Sequence, residues 1–142
     1  MKNYLILFAL ILIVVSCKKR NDEFSFAGVW EIQKVEQVTY VGEKQTLDSL
    51  IENDTLGWFA FQNATGMNGQ GKIQINYASL PGLTTDYETF WEIDEHNGDR
   101  IEINDRYFTR KRFAGGEKWT WVSTSNSGAN YSRETIFVKR NN

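Results

Sequence analysis

From Gly28 to the C-terminus the chain is divided into short runs rich in Val, Ile, Thr and aromatic residues, each bounded by turn residues, and its single proline, Pro81, falls between two runs. This punctuation predicts an all-β, antiparallel fold with about eight strands, at 28–40, 57–63, 70–77, 86–95, 99–104, 107–113, 117–124 and 131–139. Alternation within the runs places Trp119 and Trp121 on one face and Thr120 and Val122 on the other; Ile101 and Ile103 likewise alternate with Glu102 and Asn104. One face of the sheet is therefore expected to be buried. The apolar parity changes between Ile32 and Val35, which predicts a bulge that bends a long first strand.

The turn signals support hairpin connections. Asn97-Gly98 is the favoured pair for a tight type I′ turn, and Asn68-Gly69 and Gly115-Gly116 are expected to serve similarly. Eight antiparallel strands joined mostly by hairpins can close into an up-and-down barrel, which removes both exposed edges; an open sandwich is the alternative. Segment 41–56 is the one long early connection, and Leu47, Leu50 and Ile51 recur there at i, i+3 and i+4 behind Thr46. That spacing predicts a short amphipathic helix.

Ahead of the β region, Lys2 supplies positive charge, Leu5 to Val15 are uninterruptedly apolar, and Lys18-Lys19-Arg20 follow closely. This is the layout of a secretory signal, and the apolar run is shorter than the roughly 20 residues a membrane-spanning helix needs. Val14-Val15-Ser16-Cys17 resembles the lipobox of bacterial lipoproteins, in which the signal is removed and the cysteine is acylated. Cys17 is the only cysteine, so the mature chain is expected to have no disulfide and to be stabilised by its core alone. The expected division is a signal peptide at 1–16, a lipidated cysteine and charged tether at 17–25, and one domain at 26–142. Lysine after Cys17 is not the aspartate that marks inner-membrane retention in well-studied systems, so the resemblance implies an outer-membrane anchor.

Gly28-Val29-Trp30 at the start of the first strand resembles the Gly-x-Trp motif of the lipocalins. Small bacterial lipoproteins with a lipocalin-like domain share this order of lipobox, charged tether, Gly-x-Trp and about eight strands. The resemblance implies that Trp30 packs across the closed end of a barrel, covered by an arginine near the last strand. Arg140 is the preferred candidate and Arg133 the other. It also implies that 41–56 forms a lid beside the open end, and that Trp58, Trp91, Trp119 and Trp121 line a ligand cavity. Asp48-Ser49-Leu50 and Asp54-Thr55-Leu56 resemble the O-glycosylation sequon of Bacteroides-type bacteria, with Ser49 and Thr55 as acceptors; helix capping by the same residues is the alternative.

Catalytic chemistry is not legible. His96, the sole histidine, lies in a turn-like acidic stretch, and no partner set for a metal or an activated nucleophile accompanies it. Glu88 and Glu92 share a face but read equally well as solvated strand positions. Gly66, Gly69 and Gly71 lack the lysine and helix of a phosphate loop. Basic residues are scattered among acidic ones, which leaves no footprint for nucleic acid. The chain is thus expected to be non-enzymatic, with no cofactor or metal. Two functions remain: a barrel that binds a small hydrophobic or amphipathic ligand, or a packed barrel that acts as a scaffold, inhibitor or interaction module for a protein partner still to be identified. A continuous cavity would favour the first, a packed interior with an apolar outer patch the second.

Overall fold

A computed structural model of the protein describes residues 26–62, 68–80, 82–94, 96–124 and 130–141, with Leu47 described by its backbone alone. Among the described residues nine strands form: β1 Gly28–Val41, β2 Lys44–Glu52, β3 Gly57–Phe61, β4 Asn68–Ile75, β5 Asp86–Ile93, β6 Arg100–Ile103, β7 Arg106–Phe113, β8 Gly116–Thr124 and β9 Asn130–Asn141. Strands β3 to β9 follow one another around the sheet, and β9 pairs back onto β1, so that eight strands close an antiparallel barrel. Closure leaves the sheet no open edge along this circuit.

The expected helix and lid at 41–56 are replaced by β2, and the cause is backbone hydrogen bonding. β1 is 14 residues long whereas β3 has five, and β3 pairs only with Gly28 to Glu31. The upper half of that edge would be left with unpaired donors and acceptors. β2 supplies them, from Lys34↔Glu52 to Val41↔Lys44. A helix of one or two turns is too short to compete with such a ladder.

The bulge lies where the parity change predicts it. Pairing of β1 with β9 slips between Ile32 and Lys34, and Trp30, Ile32, Val35 and Gln37 all face the interior as a result. Turn chemistry differs from expectation at two places. Neither Asn97 nor Gly98 has positive φ, whereas Asn104 and Asp105 do, at 48° and 62°, so the type I′ conformation joins β6 to β7 instead. Asp94 captures the other connection: its Oδ1 accepts from the backbone N–H groups of His96 (2.8 Å) and Asn97 (3.2 Å), which widens the loop. Gly115, at φ 106°, turns β7 into β8 as expected, but Gly116 already belongs to β8, and Asn68-Gly69 open β4.

Inward positions fill the barrel with Trp30, Ile32, Val35, Phe59, Phe61, Ile73, Trp91, Ile93, Ile101, Ile103, Phe108, Trp119, Ile136 and Val138, all buried. The end where β1 begins and β9 finishes is called the floor here, and the opposite end the mouth.

Candidate functional site

The floor is sealed by a residue outside every strand. Phe26 is fully buried, and its ring centroid lies 4.8 Å from that of Phe61, 5.1 Å from Trp91, 5.7 Å from Trp119 and 5.9 Å from Trp30. The Trp30 indole N–H donates to the Phe26 carbonyl at 2.8 Å, which fixes the plug against β1. Beneath the rings sits a buried ion pair. Arg110 Nε and Nη2 reach Glu117 Oε2 and Oε1 at 2.9 and 2.8 Å, each side chain being 6% exposed, and the guanidinium lies 4.7 Å from the Phe26 ring centroid. Trp119 also donates to Glu117, at 2.9 Å. Burial alone would raise Glu117, but the contacts with Arg110, Trp119 and Arg112 outweigh it and hold the carboxyl below its ordinary range.

Arg140, the expected cover for Trp30, is its cross-strand partner in β9 and so lies on the same face. Its guanidinium donates to Ala27 O and rests against Gly28, where a Cβ would come within 3.0 Å of Nε. Gly28 also has φ 140°, so glycine is required there on both counts. Arg133 is exposed and pairs with Val38 near the mouth. Sequence reasoning missed Arg110, the guanidinium that stacks on the aromatic floor.

At the mouth the interior turns polar. Glu134, 1% exposed, accepts from Ser79 Oγ at 2.7 Å, Leu80 N–H at 2.8 Å and Gln37 Nε2 at 3.0 Å, while Gln37 Nε2 also donates to Ala78 O at 2.6 Å. The segment between β4 and β5 is thereby drawn across the mouth, with Leu83 buried beneath it and Gly82 O accepting from Arg106 at 2.9 Å. This strap stands where a lid was expected from 41–56. Burial pushes Glu134 above the ordinary glutamate range despite its hydrogen bonds and the charge of Arg106, and burial with the nearby Glu134 carboxylate pushes the Tyr77 phenol up as well.

The four tryptophans expected to line a cavity separate. Trp91 and Trp119 are core residues of the floor, Trp121 is half-buried near the mouth with Arg106 stacked 4.8 Å from its ring, and Trp58, alternating with inward Phe59, lies on the outer face. Ser49 and Thr55 separate too: Ser49 is part-buried in β2 with its hydroxyl on Gln37 Oε1 at 3.3 Å, and Thr55 is exposed in the turn before β3. Cys17 lies outside the described residues, as do the lipobox, the tether and Gly66.

On the outside, β4, β5 and β6 border a groove of about 650 Å³. Asn68, Glu92 and Glu102 form one cross-strand row in it, Asp86 and Asp105 stand farther along, and Phe90 is 65% exposed in its wall. Tyr107 continues the row opposite Glu102, with Arg100 stacked 4.0 Å above its ring. His96 is an exposed turn residue, Glu88 and Glu92 both face solvent, and among the described residues no group of three or more His, Cys, Asp or Glu is placed to hold a metal. Comparison with family models, with curated proteins and with solved structures found no match.

Proposed function

We propose that this chain is a lipid-anchored protein of the cell envelope, held in the outer membrane through Cys17, whose barrel is a non-enzymatic interaction module. The observation that supports the module reading is the filled interior: above the Phe26 plug the buried side chains of Val35, Phe59, Ile73, Ile101, Phe108 and Ile136 occupy the barrel, and the strap is tied across the mouth, where a carrier would keep a cavity for an acyl chain or ring. The outer face of β4–β6, with exposed Phe90 and Tyr107 among carboxylates, offers the complementary surface for a partner.

A second reading, binding of a small amphipathic ligand, is favoured at the mouth alone, where Gln37, Ser49 and Glu134 present polar atoms and the strap hydrogen-bonds Gln37 and Glu134. Native mass spectrometry of protein extracted from its own cells separates the two. A retained protein partner supports the module; a stoichiometric small-molecule adduct that vanishes when the strap is shortened supports the ligand reading and overturns the first. The anchor is tested separately by metabolic labelling with a fatty acid. Cys17→Ser is expected to abolish the label, and undiminished label would overturn the lipoprotein reading.

A further inference from the structure

β2 differs from the other strands in its pairing. Each strand of the barrel circuit is paired along both edges, β1 with β9 on one side and with β3 and β2 on the other, whereas β2 is paired with β1 alone. The strap does not cover its second edge. Asn76 N–H donates to Leu56 O at 2.9 Å, past the end of β2, and the strap then turns onto the inner face, where Ala78 O meets Gln37 and Ser79 meets Glu134. Among the described residues, none is hydrogen-bonded to the backbone of β2 along that edge. A free edge of this kind presents a row of N–H and C=O groups to any extended chain, and natural strands blunt it with proline, lysine, bulges or shortness. β2 is nine residues long, and its irregular pairing falls near its start, opposite Thr39 and Tyr40. From there residues 47–52 pair regularly with 34–39, include neither proline nor lysine, and leave Leu50 56% exposed.

A second copy of the same strand fits this edge only in certain registers. A twofold axis normal to the sheet keeps each face on its own side, so it sets one residue directly opposite its equivalent in the partner. Within the regular stretch two centres pair five residues a side: Ser49, which uses 47–51, and Leu50, which uses 48–52. The charges on the outer face decide between them, because Asp48, Leu50 and Glu52 alternate with inward Ser49 and Ile51 and so share that face. Centring on Leu50 sets Asp48 against the partner's Glu52, twice by symmetry, and like charges directly opposite are destabilising. Centring on Ser49 sets Asp48 against the partner's Leu50, pairs the two Ser49 residues with each other and opposes no like charges.

We propose that the free edge of β2 is a homodimer interface, in which two copies of the chain pair antiparallel about Ser49 and continue one sheet across the twofold axis. Main-chain hydrogen bonds supply the attraction, and Asp48 and Glu52 select the register. The occupant is a second copy because the strand that leaves the edge open also has the charge pattern that fits it. Five paired residues a side are far fewer than the roughly 20–30 of a stable interface, so the dimer forms as a concentration-dependent equilibrium. This edge is separate from the outer face of β4–β6 that the interaction reading assigns to a partner.

Two measurements on the full chain purified from its own cells test the proposal. In the first, Ser49→Cys, Lys44→Cys and Glu52→Cys are oxidised with copper phenanthroline and the products mapped by peptide mass spectrometry. Ser49→Cys is expected to give a disulfide between the two introduced thiols at several-fold higher yield than the other two, since only position 49 faces its own equivalent. The second uses sedimentation equilibrium on variants of the exposed Leu50, which leave the barrel core untouched. Leu50→Lys is expected to tighten the dimer several-fold, because it faces the partner's Asp48 twice, and Leu50→Asp to weaken it several-fold. A monomer at every concentration, equal disulfide yields, or weakening by both Leu50 variants would overturn the proposal; the last would mean that the strands centre on Leu50. A different protein's strand found on this edge would overturn it as well. A partner bound at β4–β6 without these dimer signatures would leave the interaction reading standing and remove this one.

Discussion

The two ends of the barrel solve the same closure problem with opposite chemistry. At the floor a hydrocarbon ring is pushed between indoles, and the carboxylate buried there, Glu117, meets a bidentate guanidinium buried with it. At the mouth a loop is tied down by a carboxylate whose nearest partners are a hydroxyl and two N–H groups. Ring packing is worth several kilocalories per residue and is indifferent to pH, whereas a buried carboxylate held by neutral donors barely recovers its desolvation. The difference teaches that the floor is the permanent end of this molecule and the mouth the adjustable one.

The sharpest way to break this contrast is to remove the floor. Trp119→Ala is expected to destabilise the domain by about 3–5 kcal/mol in denaturant melts, as is Trp30→Ala, because each leaves an indole-sized void in a packed cluster. A change below about 1 kcal/mol would mean the rings are not packed as described. Arg110→Leu comes next, at about 3 kcal/mol, since it strands Glu117 in a buried site with Trp119 and Arg112 as its remaining partners. At the mouth Glu134→Ala is expected to cost about 1–3 kcal/mol, the penalty for leaving Leu80 N–H and the Ser79 hydroxyl without their acceptor, and to expose the strap to proteolysis before the rest of the chain. Equal loss of protection across the whole barrel would erase the distinction between the ends.

The smallest effect is a difference of sign with pH. Glu117 titrates below its ordinary value, so its contribution is present above the unfolded pKa near 4.5 and is lost as pH falls through the lower folded value. Glu134 titrates above its ordinary value, so its contribution is present below about 4.5 and is lost as pH rises through the higher folded value. Melts of Glu117→Gln and Glu134→Gln across this range should therefore deviate from the parent in opposite directions. Parallel deviations would show that the two carboxylates share one environment.

Much of the barrel is legible from alternation. The eight runs mark the eight barrel strands to within a few residues, and the parity change at Ile32 to Val35 marks the bulge, because inward and outward positions in a closed sheet differ sharply in burial. β2 is not legible in that way. Its need arises from the unpaired edge of β1, which is a property of the neighbouring strand's length, and the spacing of Leu47, Leu50 and Ile51 mimics a helix. The polar groups at both ends left a faint signal: Arg110 shares the parity of inward Phe108, Glu117 that of Trp119, and Glu134 that of Ile136 and Val138. A charge in the apolar register of a strand marks a buried partner, but the partner's identity depends on which strand ends meet. Phe26 left no periodic signal, because it acts from outside the sheet. The acidic groove likewise depends on pairing, which sets Glu92 against Glu102 across a loop.

The long seam between β1 and β9, from Val29↔Asn141 to Val41↔Asn130, joins the first strand of the fold to the last. Its contacts span about a hundred residues of chain, so the loop entropy of closure has to be overcome before most of the ladder forms, and the domain is expected to fold slowly for its size. Until β9 has been made, the seam edge of β1 and the growing edge of the sheet both lack their barrel partner, so the fold's topology is itself a timer that postpones compaction until the closing strand is present.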